Sequence, residues 1–249
     1  MVTGVLLAGT GTVLWTAPEW LLDRLGQWYP GCLYRVPVPK RVIALTIDDG
    51  PDPVSTPAIL EELQRHGARA TFFLITDRLR DQDSLVTRLS AEGHEVGNHF
   101  TRDRPGIRLS PLEFERDLLQ ADRQLARWKP VWARPGSGWY SNAMVAVMQR
   151  HGYRCALGSI YPFDASIPSV SWSTSFILRN VRPGSIVVLH DGGARGRRTA
   201  RVLARVLPEL RHRGYEVVSV SELVSLGRAA VPKKNSAIFR PAARPSRMA

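Results

Sequence analysis

Four short stretches of this 249-residue chain carry acid–base or metal-binding side chains at the ends of apolar runs. In Thr46-Ile47-Asp48-Asp49-Gly50-Pro51, two adjacent aspartates follow a β-branched run and precede a Gly-Pro turn. Neighbouring residues at a strand end point in different directions, so one carboxylate can ligate a metal while the other stays free as a base. Aspartate is also a common turn former before Gly-Pro, which accounts for either residue alone better than for both. In Gly97-Asn98-His99-Phe100-Thr101-Arg102-Asp103, His99 and Asp103 stand four apart and face one another if the loop is helical there. They form a metal-ligand pair or a plain His–Asp pair. Arg134-Pro135-Gly136-Ser137-Gly138-Trp139 offers an arginine that can hold a carboxylate, and glycines that let backbone N–H groups approach a developing oxyanion. The bland alternative is a Pro-Gly turn beside a surface arginine. Ile186-Val187-Val188-Leu189-His190-Asp191 delivers a histidine to the end of an apolar strand, either as a general acid or as a structural side chain.

The elements that must position these residues alternate between strand and helix from Val42 onward, with Gly or Pro at most junctions, as in βα-repeating folds. Strands are predicted over 42–47, 70–75, 94–97, 131–134, 153–157, 185–189 and 215–220. Helices are predicted from Thr56 as cap with Pro57 first and Gly67 past the end, over 83–92, and over 110–128 with Pro111 first and a Ser110/Glu113 capping box. Further helices follow over 141–151, over 197–213 and from Ser221, while 162–175 reads as irregular. The singled-out residues fall just after strands, the end where parallel βα folds build their sites. His66, His94, His151 and His212 sit at helix ends or before strands and read as structural.

The Asp48-Asp49 segment resembles the first motif of the polysaccharide deacetylases, also called the NodB-homology family or carbohydrate esterase family 4. The resemblance extends over roughly residues 40–225. It implies a distorted (β/α) barrel of mostly parallel strands with outer helices. It also implies Asp48 as catalytic base, Asp49 and His99 as metal ligands, Arg134 as the partner of Asp48, and His190 as general acid. The family's second metal-binding histidine is replaced by Asp103, an acceptable oxygen ligand. The third motif is altered too, with Ser137 where tyrosine is usual, which places the chain in a divergent branch. Trp139 and Tyr140 are expected either at the substrate, as an aromatic wall for a sugar ring, or packed in the interior. Asp164, grouped with them, corresponds to the fourth motif, whose aspartate assists the histidine. The implied cofactor is one divalent metal ion, zinc first, with cobalt, manganese or nickel as other choices. The implied reaction is hydrolysis of an N-acetyl group on an amino-sugar polymer or oligosaccharide such as chitin or peptidoglycan. Competing readings are a noncatalytic carbohydrate-binding protein on the same barrel, hydrolysis of a small non-sugar amide, and a serine hydrolase. Ser137 lacks the G-x-S-x-G elbow that the last requires.

Composition bounds the rest. With 44% hydrophobic and 22% charged residues the chain can fold around its own core, and two cysteines, Cys32 and Cys155, exclude a disulfide framework or a cysteine-rich zinc site. The formal charge is +12, and residues 195–249 carry thirteen Lys/Arg against three Asp/Glu. Such a balance favours anionic neighbours, but no nucleic-acid motif accompanies it. Residues 1–34 read as an apolar, irregular arm, 35–227 as the catalytic domain and 228–249 as a basic, disordered tail. The segment 2–18 is uncharged and mildly apolar but glycine-interrupted, and no positive region precedes it. Membrane or cell-wall association is therefore expected ahead of a cytoplasmic place.

Overall fold

The computed structural model describes residues 31–230, so the expectations for 2–18 and for most of the basic tail lie outside the described residues. Eight strands alternate with seven α-helices in chain order: β1 Cys32–Leu33, β2 Val42–Gly50, α1 Ser55–Arg65, β3 Thr71–Leu74, α2 Asp83–Ala91, β4 Glu95–Asn98, α3 Pro111–Gln124 and β5 Trp132–Ala133. There follow α4 Asn142–Arg150, β6 Arg154–Ala156, α5 Val170–Asn180, β7 Ile186–His190, α6 Gly193–His212, β8 Glu216–Val218 and α7 Val220–Ala230. Every strand pairing is parallel, in the order β1-β6-β5-β4-β3-β2-β7, and β8 pairs with β2. Ser159 and Ile160, just beyond β6, donate to the Ile186 carbonyl at 3.0 and 3.1 Å, and Val188 donates back to Ile160 at 2.9 Å. This seam carries the β6 side round to β7 and closes a short, irregular (β/α) barrel.

β2 is the spine. All nine of its residues are buried, as the near-continuous apolar run of a strand covered on both faces requires. One edge pairs with β7 over Ala44–Asp48; the other pairs first with β8 and then with β3. Ile43, Leu45 and Ile47 pack with Leu60, Leu63, Phe72 and Leu189 in the main core, and each such side chain contributes about 1.5–3 kcal/mol by leaving water.

The helices follow their predicted signals with four differences. α1 begins at Ser55, and Thr56 lies inside it rather than capping it: the Asp52 carboxylate accepts from the N–H groups of Val54 and Ser55 at 3.0 and 2.8 Å. In α3 the Ser110–Glu113 capping box forms, but Leu112 is exposed and the buried stripe is Phe114, Leu118, Ala121 and, just past the end, Leu125. α5 occupies part of the stretch read as irregular. Its serine-rich start is a poor helix former, yet Ser169 caps it and Phe176 and Ile177 anchor it in the core. α6 starts at Gly193, four residues before the expected Arg197, because Gly193 donates to Asp52 at 3.0 Å and Gly196 lets the helix press against Ser55 and Asp191. That early start brings Arg195 into the first turn. Cys32–Leu33, which the sequence places in the arm, are instead a sheet strand beside β6.

Among the described residues no helix is long and apolar enough to cross a membrane.

Candidate active site

The two aspartates diverge because β2 bulges at its end. Asp48 pairs in register with Phe73 of β3 and Gly50 with Leu74, so Asp49 is skipped, and it adopts the left-handed conformation at φ 70°. A non-glycine residue held there is strained, a condition that clusters at functional sites. Asp48 faces Arg134, whose Nη1 donates to Asp48 Oδ1 at 2.6 Å and to Thr46 Oγ1 at 2.8 Å. Its Nε and Nη2 donate to the carbonyls of Ala156 and Leu157 at 2.8 and 2.6 Å, and its guanidinium lies 4.1 Å from the centre of the Phe73 ring. The side chain is 2% exposed, so this buried charge is held entirely by protein groups. The expected Asp48–Arg134 pair is thus assembled.

Asp49 points the other way. Its Oδ1 faces His99 Nε2 at 3.4 Å, and its Oδ2 accepts from Arg195 Nη1 at 2.6 Å. Burial alone would raise the Asp49 carboxyl, but the His99 hydrogen bond and the charges of His99, His190 and Arg195 outweigh it and hold the pKa at about 2. For His99 burial works downward, and the hydrogen bond to Asp49 with the charges of Asp48 and Asp49 reverses it, leaving the imidazole raised. His99 Nδ1 lies 2.6 Å from the Arg134 carbonyl oxygen and donates to it, which fixes the ring and turns Nε2 toward Asp49. A nitrogen lone pair facing a carboxylate needs a cation between them, either the proton or a metal ion in its place. Asp49 and His99 therefore fit a divalent cation as a donor pair.

Asp103 does not complete that pair. The loop after His99 is bent rather than helical, and Phe100 takes φ 66°, so the four-residue spacing does not turn Asp103 toward His99. Asp103 lines the same pocket from an exposed position. Among the described residues no group of three or more His, Cys, Asp or Glu side chains is arranged to hold a metal ion.

His190, at the end of β7 and in register with Asp48, faces Asp164: its Nδ1 lies 2.9 Å from Asp164 Oδ1 and its backbone N–H 3.1 Å from Oδ2. Burial pulls the His190 pKa down, and the hydrogen bond and charge of Asp164, with the charges of Asp48 and Asp49, outweigh it and leave it raised. Asp164 thus faces the histidine, and it also lines the pocket. The pocket, about 480 Å³, is bounded by Asp48, Asp49, His99, Arg134, Ser137, Tyr161, Asp164, His190 and Arg195. Trp139 and Tyr140 do not line it. Trp139 is 68% exposed, and the Tyr140 hydroxyl is hydrogen-bonded to that of Tyr34 beside the core of α3, α4 and β6, so the aromatic wall expected from them is absent from the pocket itself.

Three site residues escaped sequence reasoning. Thr46 links Arg134 to the Val187 carbonyl and was visible only as the residue before Ile47. Tyr161 borders the pocket from the irregular stretch. Arg195 is one of several arginines near the start of α6, and only the true helix start separates it from its neighbours.

Comparison with known proteins agrees with this geometry. The polysaccharide deacetylase family matches residues 35–156. A peptidoglycan-N-acetylglucosamine deacetylase of Bacillus cereus is 37% identical over 195 residues, covering 77% of this chain and 92% of the relative. A chitooligosaccharide deacetylase of Bradyrhizobium is 34% identical over 199 residues, covering 74% and 90%. The crystal structure of a peptidoglycan N-acetylglucosamine deacetylase in complex with 4-naphthalen-1-yl-N-oxidanyl-benzamide superposes with a TM-score of 0.72 at 27% identity, over 78% of this chain and 92% of that one. With its closed parallel barrel, its paired aspartates and a histidine at the end of β7, this chain belongs to the polysaccharide deacetylase family.

Proposed function

We propose that this protein hydrolyses the N-acetyl group of an amino-sugar polymer or oligosaccharide of the peptidoglycan or chitin type, with a divalent metal ion, zinc first among the choices, at Asp49 and His99. The observation that carries the reading is the convergence of Asp48, held by Arg134, and His190, held by Asp164, on one pocket. A base and an acid, each with its own orienting partner, are what amide hydrolysis needs: one takes a proton from attacking water and the other gives one to the departing amine. Arg134 aims Asp48, since the guanidinium is fixed by two carbonyls and a hydroxyl. Asp164 accepts from Nδ1 of His190, which leaves Nε2 for the leaving nitrogen. When bound, the metal would supply Lewis acidity to the acetamide carbonyl and to water. Asp49 and His99 are the residues that would hold it, and Asp103 lines the same pocket from its exposed side.

The test is acetate release from chitin oligosaccharides and from peptidoglycan. Asp48→Asn is expected to lower the rate by about 10²–10⁴-fold while fold and metal content are retained. An unchanged rate would remove Asp48 as the base. The second reading, a noncatalytic carbohydrate-binding protein, is favoured by one observation, the Arg195 guanidinium on Asp49. It predicts sugar binding with no acetate released by any metal-loaded preparation.

A further inference from the structure

Arg195 holds the one carboxylate of the pocket that the metal reading requires. Its Nη1 lies 2.6 Å from Asp49 Oδ2, while the other oxygen of Asp49 faces His99. Arg78 also reaches Asp49, but it donates to the backbone carbonyl and leaves the carboxylate to Arg195. The guanidinium stands on the first turn of α6, after Gly192 at φ 91° and Gly193 at φ 52°, and its side chain is 31% exposed. It has a route into solvent, unlike Arg134, which is caged by carbonyls on the far side of the site.

We propose that Arg195 is a built-in cation that competes with a divalent metal for Asp49, and so sets how tightly the Asp49–His99 pair binds metal. The inference rests on the reading above, in which that pair takes a metal. A metal at Asp49 and a guanidinium on the same carboxylate are like charges at contact distance in a buried setting, so one must leave as the other arrives. The guanidinium satisfies Asp49 when no metal is bound and keeps the buried carboxylate from standing unpaired. Metal binding then requires Arg195 to swing outward, and the apparent affinity is the intrinsic one multiplied by the fraction of molecules in the open state.

The experiment titrates metal-stripped full-length protein with zinc chloride by calorimetry, comparing wild type with Arg195→Gln and Arg195→Lys, each checked for native circular dichroism. Arg195→Gln is expected to bind zinc about 5- to 150-fold more tightly, the usual span of coupling between two sites. Arg195→Lys, which keeps the charge, is expected to stay closer to wild type than to Arg195→Gln. Equal or weaker zinc binding by Arg195→Gln overturns the inference and leaves the metal reading standing. If neither wild type nor Arg195→Gln binds zinc, the metal reading falls and the inference with it. Cobalt(II) absorption of the same three proteins gives a second readout, since an unchanged spectrum and midpoint across them also overturn the competition.

Discussion

At the scale of single residues, the site depends on side chains that leave no spare valence. Arg134 places Nε, Nη1 and Nη2 on four acceptors at 2.6 to 2.8 Å, a fork that a lysine cannot reproduce. Arg134→Lys is therefore expected to lose about 3–5 kcal/mol of stability to urea and most of the activity, because Asp48 and two carbonyls lose their buried partner. Asp164→Asn tests the acid. His190 must be protonated to act, and its pKa is raised by Asp164, so removing that charge is expected to move the alkaline limb of the kcat/KM profile to lower pH. An unmoved limb would show that another group supplies the proton. Asp48, Asp49, His99, Arg134 and His190 were legible in the sequence because each closes an apolar run or adjoins one that does, and type plus place is enough to suggest a role. Whether Asp103 faces His99 turned on the loop between them, which is bent at Phe100 rather than helical, and no spacing in the sequence decides that. The two readings of Trp139 and Tyr140 could not be separated in the sequence, because aromatic identity says nothing about which side of a loop faces the pocket.

At the scale of elements, the junction of β2, α1 and α6 fixes where the two strand ends carry their chemistry. Asp191, buried beyond His190, accepts from the Ser55 hydroxyl at 2.5 Å and from the Thr56 hydroxyl, and its N–H donates to the Asp48 carbonyl at 2.8 Å. Burial raises the Asp191 carboxyl, and the hydroxyls of Ser55 and Thr56 with the Gly192 N–H pull against it. Asp191→Ala leaves the Thr56 hydroxyl without its acceptor and Ser55 with only the Asp52 carboxylate at 2.9 Å, and is expected to cost about 1–3 kcal/mol in a urea midpoint. Gly196→Ala drives a methyl into Ser55 and Asp191 and should loosen the same junction, seen as faster amide exchange at the start of α6. Strands β2 to β8 and most helices were readable from periodicity and caps, and β1 was not. The starts of α1 and α6 and the whole of α5 were not, since Asp52, Gly196 and the core contacts of Phe176 act across the fold rather than along the chain.

At the scale of the whole molecule, the seam at Ser159 and Ile160 joins the β6 side of the barrel to β7, so the two sides of the sheet are tied to one another. Acid should act on it as a unit. Burial holds His94 down to about 4, against its ordinary 6.5, with Arg69 adding to that and Glu92 and Glu222 opposing it. Its Nδ1 accepts the Ala70 N–H at 3.2 Å, a bond that protonation removes. A histidine whose folded pKa lies below its unfolded value costs nothing above pH 6.5 and penalises the fold as pH falls toward 4, where the unfolded chain takes the proton and the native one does not. The expected loss across that window, from burial of this one imidazole, is about 3 kcal/mol. Urea titrations at pH 7 and pH 4 on wild type and His94→Gln measure it, and equal slopes of stability against pH in the two proteins would assign the acid sensitivity elsewhere. The βα repeat could be read from alternating elements and the barrel was implied by the family resemblance, but the seam that closes it was not legible, because Ser159 and Ile160 belong to no predicted strand.

Arg134 meets the base through its side chain and His99 through its own carbonyl oxygen. In the proposed reaction, proton abstraction and metal ligation would share one residue as a common hinge pin. Their mutational effects should be epistatic: a variant library selected for a new metal preference at His99 would drag the base with it whenever the backbone at 134 shifts, so the two traits can be evolved together but not one at a time.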